Sequence, residues 1–187
     1  MRRNASITAD NLTGFILIAT PTLKDPNFRK TILFLSYHSA KDGALGFVLN
    51  RPLGKTMGEM YHLDPAEALA PIPLYYGGPV LPDEVNVASL NWIEQPEAVK
   101  FQSFTKPMES SSVPLEQLPG VRAFAGHAGW RGGQLEEEIA NKAWFVLPPT
   151  RNLIDMRNPT FAWKDTLRQM NPILKLLAEI PDDPSLN

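Results

Sequence analysis

The residues best suited to chemistry in this chain sit in one stretch, Gly126-His127-Ala128-Gly129-Trp130-Arg131-Gly132-Gly133-Gln134-Leu135-Glu136-Glu137-Glu138-Ile139. Glycine is costly to order unless the backbone needs a positive φ or another group must come close. Four glycines around one tryptophan therefore mark a shaped site. Trp130 offers a flat apolar face and one N–H donor, His127 a titratable imidazole, and Gln134 and Glu138 polar groups just beyond. A helix opening after Gly132-Gly133 would present free amides to an anion. Glu136, Glu137 and Glu138 lie in its opening residues, however, where they satisfy the helix dipole and repel phosphate. A ligand here is expected to be neutral, cationic or a peptide. The other reading stays open, in which Trp130 and Leu135 pack into the core and the glycines serve a tight turn.

Other chemistries find less support. Asn50-Arg51-Pro52-Leu53-Gly54-Lys55-Thr56 resembles the end of a phosphate-binding loop. The first glycine of such a loop is replaced by Leu49, and Pro52 removes an amide donor. His38, His62 and His127 lack the short spacing of a metal-binding helix, and there is no cysteine to assist them. No Gly-x-Ser-x-Gly elbow is present. No catalytic residue, metal site or cofactor is assigned. The enzymatic alternative is a hydrolase or isomerase pairing His127 or His38 with Glu136 or Glu138.

The 187 residues fit one domain, and 43% hydrophobic against 20% charged residues allows a core and a polar surface. The net charge of −2 argues against a dominant polyanion-binding face, so direct nucleic-acid binding is not expected. No run approaches the ~20 apolar residues of a membrane span, and Phe15–Ala19 is too short for a secretion signal. The expected compartment is the cytoplasm.

The elements that must position these residues follow from the apolar runs. Gly14–Ala19, Thr31–Tyr37 and Ala44–Asn50 read as strands, the last two joined by turn residues ending in Asp42-Gly43. Arg51-Pro52-Leu53-Gly54 reads as a break, and Thr56–Leu69 as one or two short helices. Leu74–Tyr76, Val85–Leu90, Phe101–Phe104, Val121–Ala125 and Ala143–Leu147 read as further strands, the fourth feeding a Gly/Trp loop. Helices are expected around Leu115–Leu118, over Gln134–Asn141, over Phe161–Met170 and over Ile173–Ile180. The order predicts an α+β fold, a single compact domain over 1–187 with a mixed, largely antiparallel sheet flanked by helices. Residues 1–11 and 181–187 are expected to be less ordered.

Several of these pieces together resemble the AlgH/YqgE-like family of bacterial proteins. They are Leu17-Ile18-Ala19-Thr20-Pro21 with Phe28, His38 through Gly43–Pro52, Tyr76-Gly77-Gly78-Pro79-Val80, and Gly126–Trp130 continuing through Gly133–Glu136 to Glu138. In order and spacing they span residues 12–147. Two positions depart from the family pattern. His127 stands where it usually has Tyr, and Ser89-Leu90-Asn91 stands where it has a Leu-His pair. The resemblance implies a compact α+β domain, with no established reaction or cofactor, in a family one branch of which is named as a candidate transcriptional regulator. The resulting expectation is a binding or regulatory module for a small ligand or a protein. Its site would gather Asn50, Arg51, Gly77, Gly78, His127, Trp130, Gln134 and Glu138 from three turns that follow strands.

Overall fold

A computed structural model describes residues 11–65, 67–104 and 120–179. The first apolar runs form β1 (Ile16–Ala19), β2 (Ile32–Ser39) and β3 (Gly43–Val48). In β1, Ile16 and Ile18 face one core while Leu17 and Ala19 face another. A strand buried on both faces needs no polar alternation, so its sequence is continuously apolar.

The expected break after Asn50 is instead an exposed edge strand, β4 (Pro52–Thr56). Pro52 is tolerated there as the first residue of an edge strand. Thr56 then caps α1 (Met57–Tyr61). Its hydroxyl accepts the Glu59 amide while the Glu59 carboxylate accepts the Thr56 amide. After β5 (Pro73–Tyr76), the chain forms a long hairpin of β6 (Val80–Glu94) and β7 (Glu97–Phe104). Only the middle of β6 and the end of β7 are expected from sequence. The rest is half exposed and dilutes the apolar pattern.

The largest difference concerns the Gly/Trp segment, which is a strand and not a loop. β8 (Val121–Trp130) runs through it, kinked at Gly126, whose φ is +67°. Before the kink β8 lies between β5, which runs parallel to it, and β6; after it, Ala128–Trp130 pair with β3. Then come α2 (Gln134–Ala140), β9 (Trp144–Leu147), α3 (Arg151–Ile154), α4 (Pro159–Met170) and α5 (Pro172–Glu179).

The sheet order is β4-β5-β8-β3-β2-β1-β9, with β6 and then β7 branching from β8. Leu153, Ile154, Trp163 and Leu167 of α3 and α4 cover one face. Leu135 and Ile139 of α2 cover the other, and Met57 of α1 closes a third, smaller core. The fold is α+β with a mixed, largely antiparallel sheet. The helix expected around Leu115–Leu118, residues 1–10 and residues 181–187 lie outside the described residues.

Candidate functional site

Two glycine-containing segments cross where β5 ends and β8 kinks. A Cβ on Gly77 would strike the Gly126 carbonyl, one on Gly78 the His127 backbone, and one on Gly126 the Gly78 carbonyl. The Gly77 amide donates to the Ala125 carbonyl, and its own carbonyl accepts the Val48 amide. The close approach that these glycines permit is filled by the chain's own backbone. Gly132 is held in the same way against the Lys41 carbonyl.

Asn50 and Arg51 serve the loop between β1 and β2. The buried Asn50 side chain accepts the Ile32 amide at 2.7 Å and donates to the Lys30 carbonyl at 2.9 Å. The Arg51 guanidinium donates to the Asn27 and Arg29 carbonyls at 2.8 and 2.9 Å and lies over the Tyr76 ring. Burial lowers the pKa of Arg51 and raises that of Tyr76. At neutral pH Arg51 stays charged and Tyr76 neutral. The segment resembling a phosphate-binding loop thus runs into a strand, β4, with Arg51 spent on carbonyls and Lys55 exposed.

Trp130 is only 6% exposed and packs with Phe28 and Trp144. One oxygen of Glu138 accepts the indole N–H of Trp130 at 2.9 Å and of Trp144 at 2.8 Å. The other accepts the Gln134 side-chain amide at 3.0 Å, and the Gln134 oxygen accepts the Arg131 amide. Tryptophan needs a partner for its N–H when buried, and the acidic helix supplies it. Of the glutamates after Gly133, Glu138 therefore clamps two rings.

His38 and Glu136 do pair, 2.9 Å apart, but in a closed arrangement. The His38 Nδ1 accepts the Leu12 amide at 3.0 Å. It therefore carries no proton, and Nε2–H donates to Glu136. A histidine acting as general base must offer a free ring nitrogen to the group it deprotonates. Here the backbone occupies it.

His127 differs from the rest. It is half-buried, and desolvation lowers its pKa, opposed by Glu84. It stands on an end of the sheet that no helix among the described residues covers. Val80 pairs with His127, Gly129 with Leu45, and Leu45 with Tyr37. Tyr37 is 49% exposed, Val80 37% and Leu81 52%. Leu81 adopts φ +49°, a costly conformation for a branched side chain, at the bulge between Val80 and Val85. Gly129 is at the centre of this strip and is exposed. A Cβ there would meet Val80 and the His127 ring only at ordinary contact distance, and its φ is not positive. Neither backbone conformation nor packing demands glycine at this position.

The expected residues therefore divide. Gly77 and Gly78 abut His127, and Arg51 stacks on Tyr76 beside them. Trp130 faces Ala44 near the start of β3, whereas Asn50 follows its end, about 20 Å along the strand. Both ends are tied to one loop, through Phe28 on Trp130 and Asn27 on Arg51. Sequence reasoning missed Tyr37, Val80, Leu81 and Glu84. The signal for the last three was an apolar pair and then two acids after Gly77-Gly78-Pro79; Tyr37 gave none. A cleft of about 580 Å³ between α3 and α4, lined by Asn152, Asp155, Asn158, Asp165 and Gln169 among others, involves none of the expected residues. Among the described residues there is no group of three or more metal-ligating side chains, and no helix is long and apolar enough to cross a membrane.

A family model described as AlgH-like matches residues 16–175. A UPF0301 protein of Streptomyces avermitilis is 35% identical over 189 residues, covering 95% of this chain and 96% of that one. One from Thermobifida fusca is 33% identical over 191 residues, with 95% and 96% covered. The solution structure of the AlgH protein from Pseudomonas aeruginosa aligns with a TM-score of 0.67 at 27% identity, over 98% of this chain and all (100%) of that one. A crystal structure from Corynebacterium diphtheriae aligns with a TM-score of 0.68 at 23% identity, over 96% and 95%, a likeness of fold.

Proposed function

The chain belongs to the AlgH-like family, and we propose that within it this protein acts by binding a protein partner across the uncovered end of its sheet. The observation that supports this reading is Gly129, an exposed glycine that neither φ nor crowding requires. With no side chain there, the strip from Tyr37 to Leu81 stays flat and lets another backbone approach. The strip is apolar and open, which suits a protein surface better than a small molecule, whose sites are concave. A regulatory role would then be exercised through that contact, in the cytoplasm. With a net charge of −2, it would not need direct contact with DNA.

Catalysis has weaker support. The accepting nitrogen of His38 is filled by an amide, and Glu138 is occupied by two indoles. A photo-crosslinking amino acid at Tyr37, with Arg151 as the control position, tests the reading in intact cells. A protein adduct formed at Tyr37 and not at Arg151 is expected. No adduct, or equal adducts at both positions, would remove it.

A further inference from the structure

Resting on that reading, we propose that the partner on this face is a second copy of the same chain, related by a two-fold axis near Gly129.

The argument is the distribution of charge along β8. At the level of Gly126, the bulge of β6 places Asp83 and Glu84, both exposed, at one end of the strip. Glu84 precedes Val85, which pairs with Ala125, two residues before His127. At the other end β8 runs out into Arg131, and Gly132 packs on the carbonyl of Lys41 in the β2–β3 turn. Arg131 and Lys41 are exposed, and neither forms an ion pair among the described residues. Asp42 beside them is held by the Ser39 hydroxyl at 3.0 Å. From Gly126 to Arg131 the strand covers about 16 Å.

One end is therefore acidic, the other net positive with Lys41 and Arg131 outweighing Asp42, and the middle holds apolar side chains, the His127 ring and a bare glycine. A two-fold interface brings each patch onto its own image in reverse. Glu84 and Asp83 of one copy then lie over Arg131 and Lys41 of the other, twice. Tyr37, Leu45, Val80 and Leu81 of the two copies meet in the middle, where Gly129 leaves room. A uniformly charged strip would repel its own image; this one is complementary to it.

The test is sedimentation velocity on the full chain across the micromolar range at low salt. The wild type is expected to pass from monomer to dimer with concentration, and to dissociate as salt is raised. Glu84→Lys and Arg131→Glu should each weaken the dimer by about tenfold, since each turns two equivalent exposed attractions into repulsions. All three positions tested are at the surface, so the variants should fold. The double variant Glu84→Lys/Arg131→Glu should restore association, because each reversed charge meets its reversed partner. Gly129→Arg should abolish it. A wild type that stays monomeric throughout would overturn the self-association. So would a dimer indifferent to the single reversals, or a double variant no better than either single one. If Tyr37 nevertheless crosslinks to a different protein in cells, the binding reading survives and only the identity of the partner falls. If nothing crosslinks there, both fall.

Discussion

Glu138 holds Trp130 through a 2.9 Å hydrogen bond from the indole N–H, and the same oxygen holds Trp144. A helix carboxylate thus joins the end of β8 to β9 across the core that α2 covers. Replacing Glu138 with Leu leaves two buried N–H groups without an acceptor. Such a group costs about 1–3 kcal/mol, so Glu138→Leu should lower stability by about 3 kcal/mol in urea unfolding. Glu138→Gln keeps one acceptor oxygen and should cost less. A carboxylate that merely awaited a ligand would show no such ordering.

The glycines of the β5–β8 crossing and Gly129 should respond oppositely to the same change. Gly77→Ala and Gly126→Ala drive a methyl into a backbone carbonyl. Each should destabilise by more than about 3 kcal/mol or prevent folding. Gly129→Ala adds a methyl at ordinary contact distance within a strand. Relief of glycine's backbone entropy there should leave stability equal or raise it by about 0.5–1 kcal/mol. Thermal melts of the three variants separate glycine used for packing from glycine left open at the surface.

These glycines also explain what could be read from the chain beforehand. β1, the first half of β2 and β3 were legible because strands buried on both faces are continuously apolar, and β9 because its alternate residues reach both cores. β4 and the first half of β7 were not, because edge strands expose residues such as Leu53, Lys55 and Lys100 that break the pattern. The full length of β8 was hidden because Gly126 and Gly129 resemble a loop. The unusual character of Asn50, Gly77, Gly78, Trp130 and Glu138 was visible, but its cause was not. A glycine pressed on a neighbouring backbone and a glycine facing solvent are the same letter. The contacts that distinguish them, such as Gly77 with Gly126, lie some 50 residues apart in the chain.

Arg51 should prove to be a loop anchor. Its guanidinium reaches the Asn27 and Arg29 carbonyls and lies on Tyr76. Lysine keeps the charge but lacks the planar fork. Arg51→Lys should therefore lose about 1 kcal/mol and speed hydrogen exchange at the Phe28 and Arg29 amides, both bonded to the Asp25 carbonyl. Exchange in β1 should be unchanged. If charge alone mattered, the lysine variant would exchange like the wild type.

His127 makes the uncovered end of the sheet sensitive to acid. Desolvation lowers its pKa in the folded protein, with Glu84 opposing. The unfolded chain has the ordinary value of about 6.5, so it takes up the proton first as pH falls. In the window between that value and the lower folded one, the unfolded state binds more protons, so stability is lost as pH is lowered. Above the window His127 is neutral in both states and contributes nothing; below it the loss is complete and constant. His127→Gln removes this loss, so the variant should gain stability relative to wild type as pH drops through the window and match its trend above. Glu84→Gln removes the opposing charge and should deepen the loss. Chemical unfolding of the three proteins at a series of pH values, taken as differences from wild type, gives the sign. A His127→Gln curve parallel to wild type throughout would mean that this histidine is as well solvated folded as unfolded.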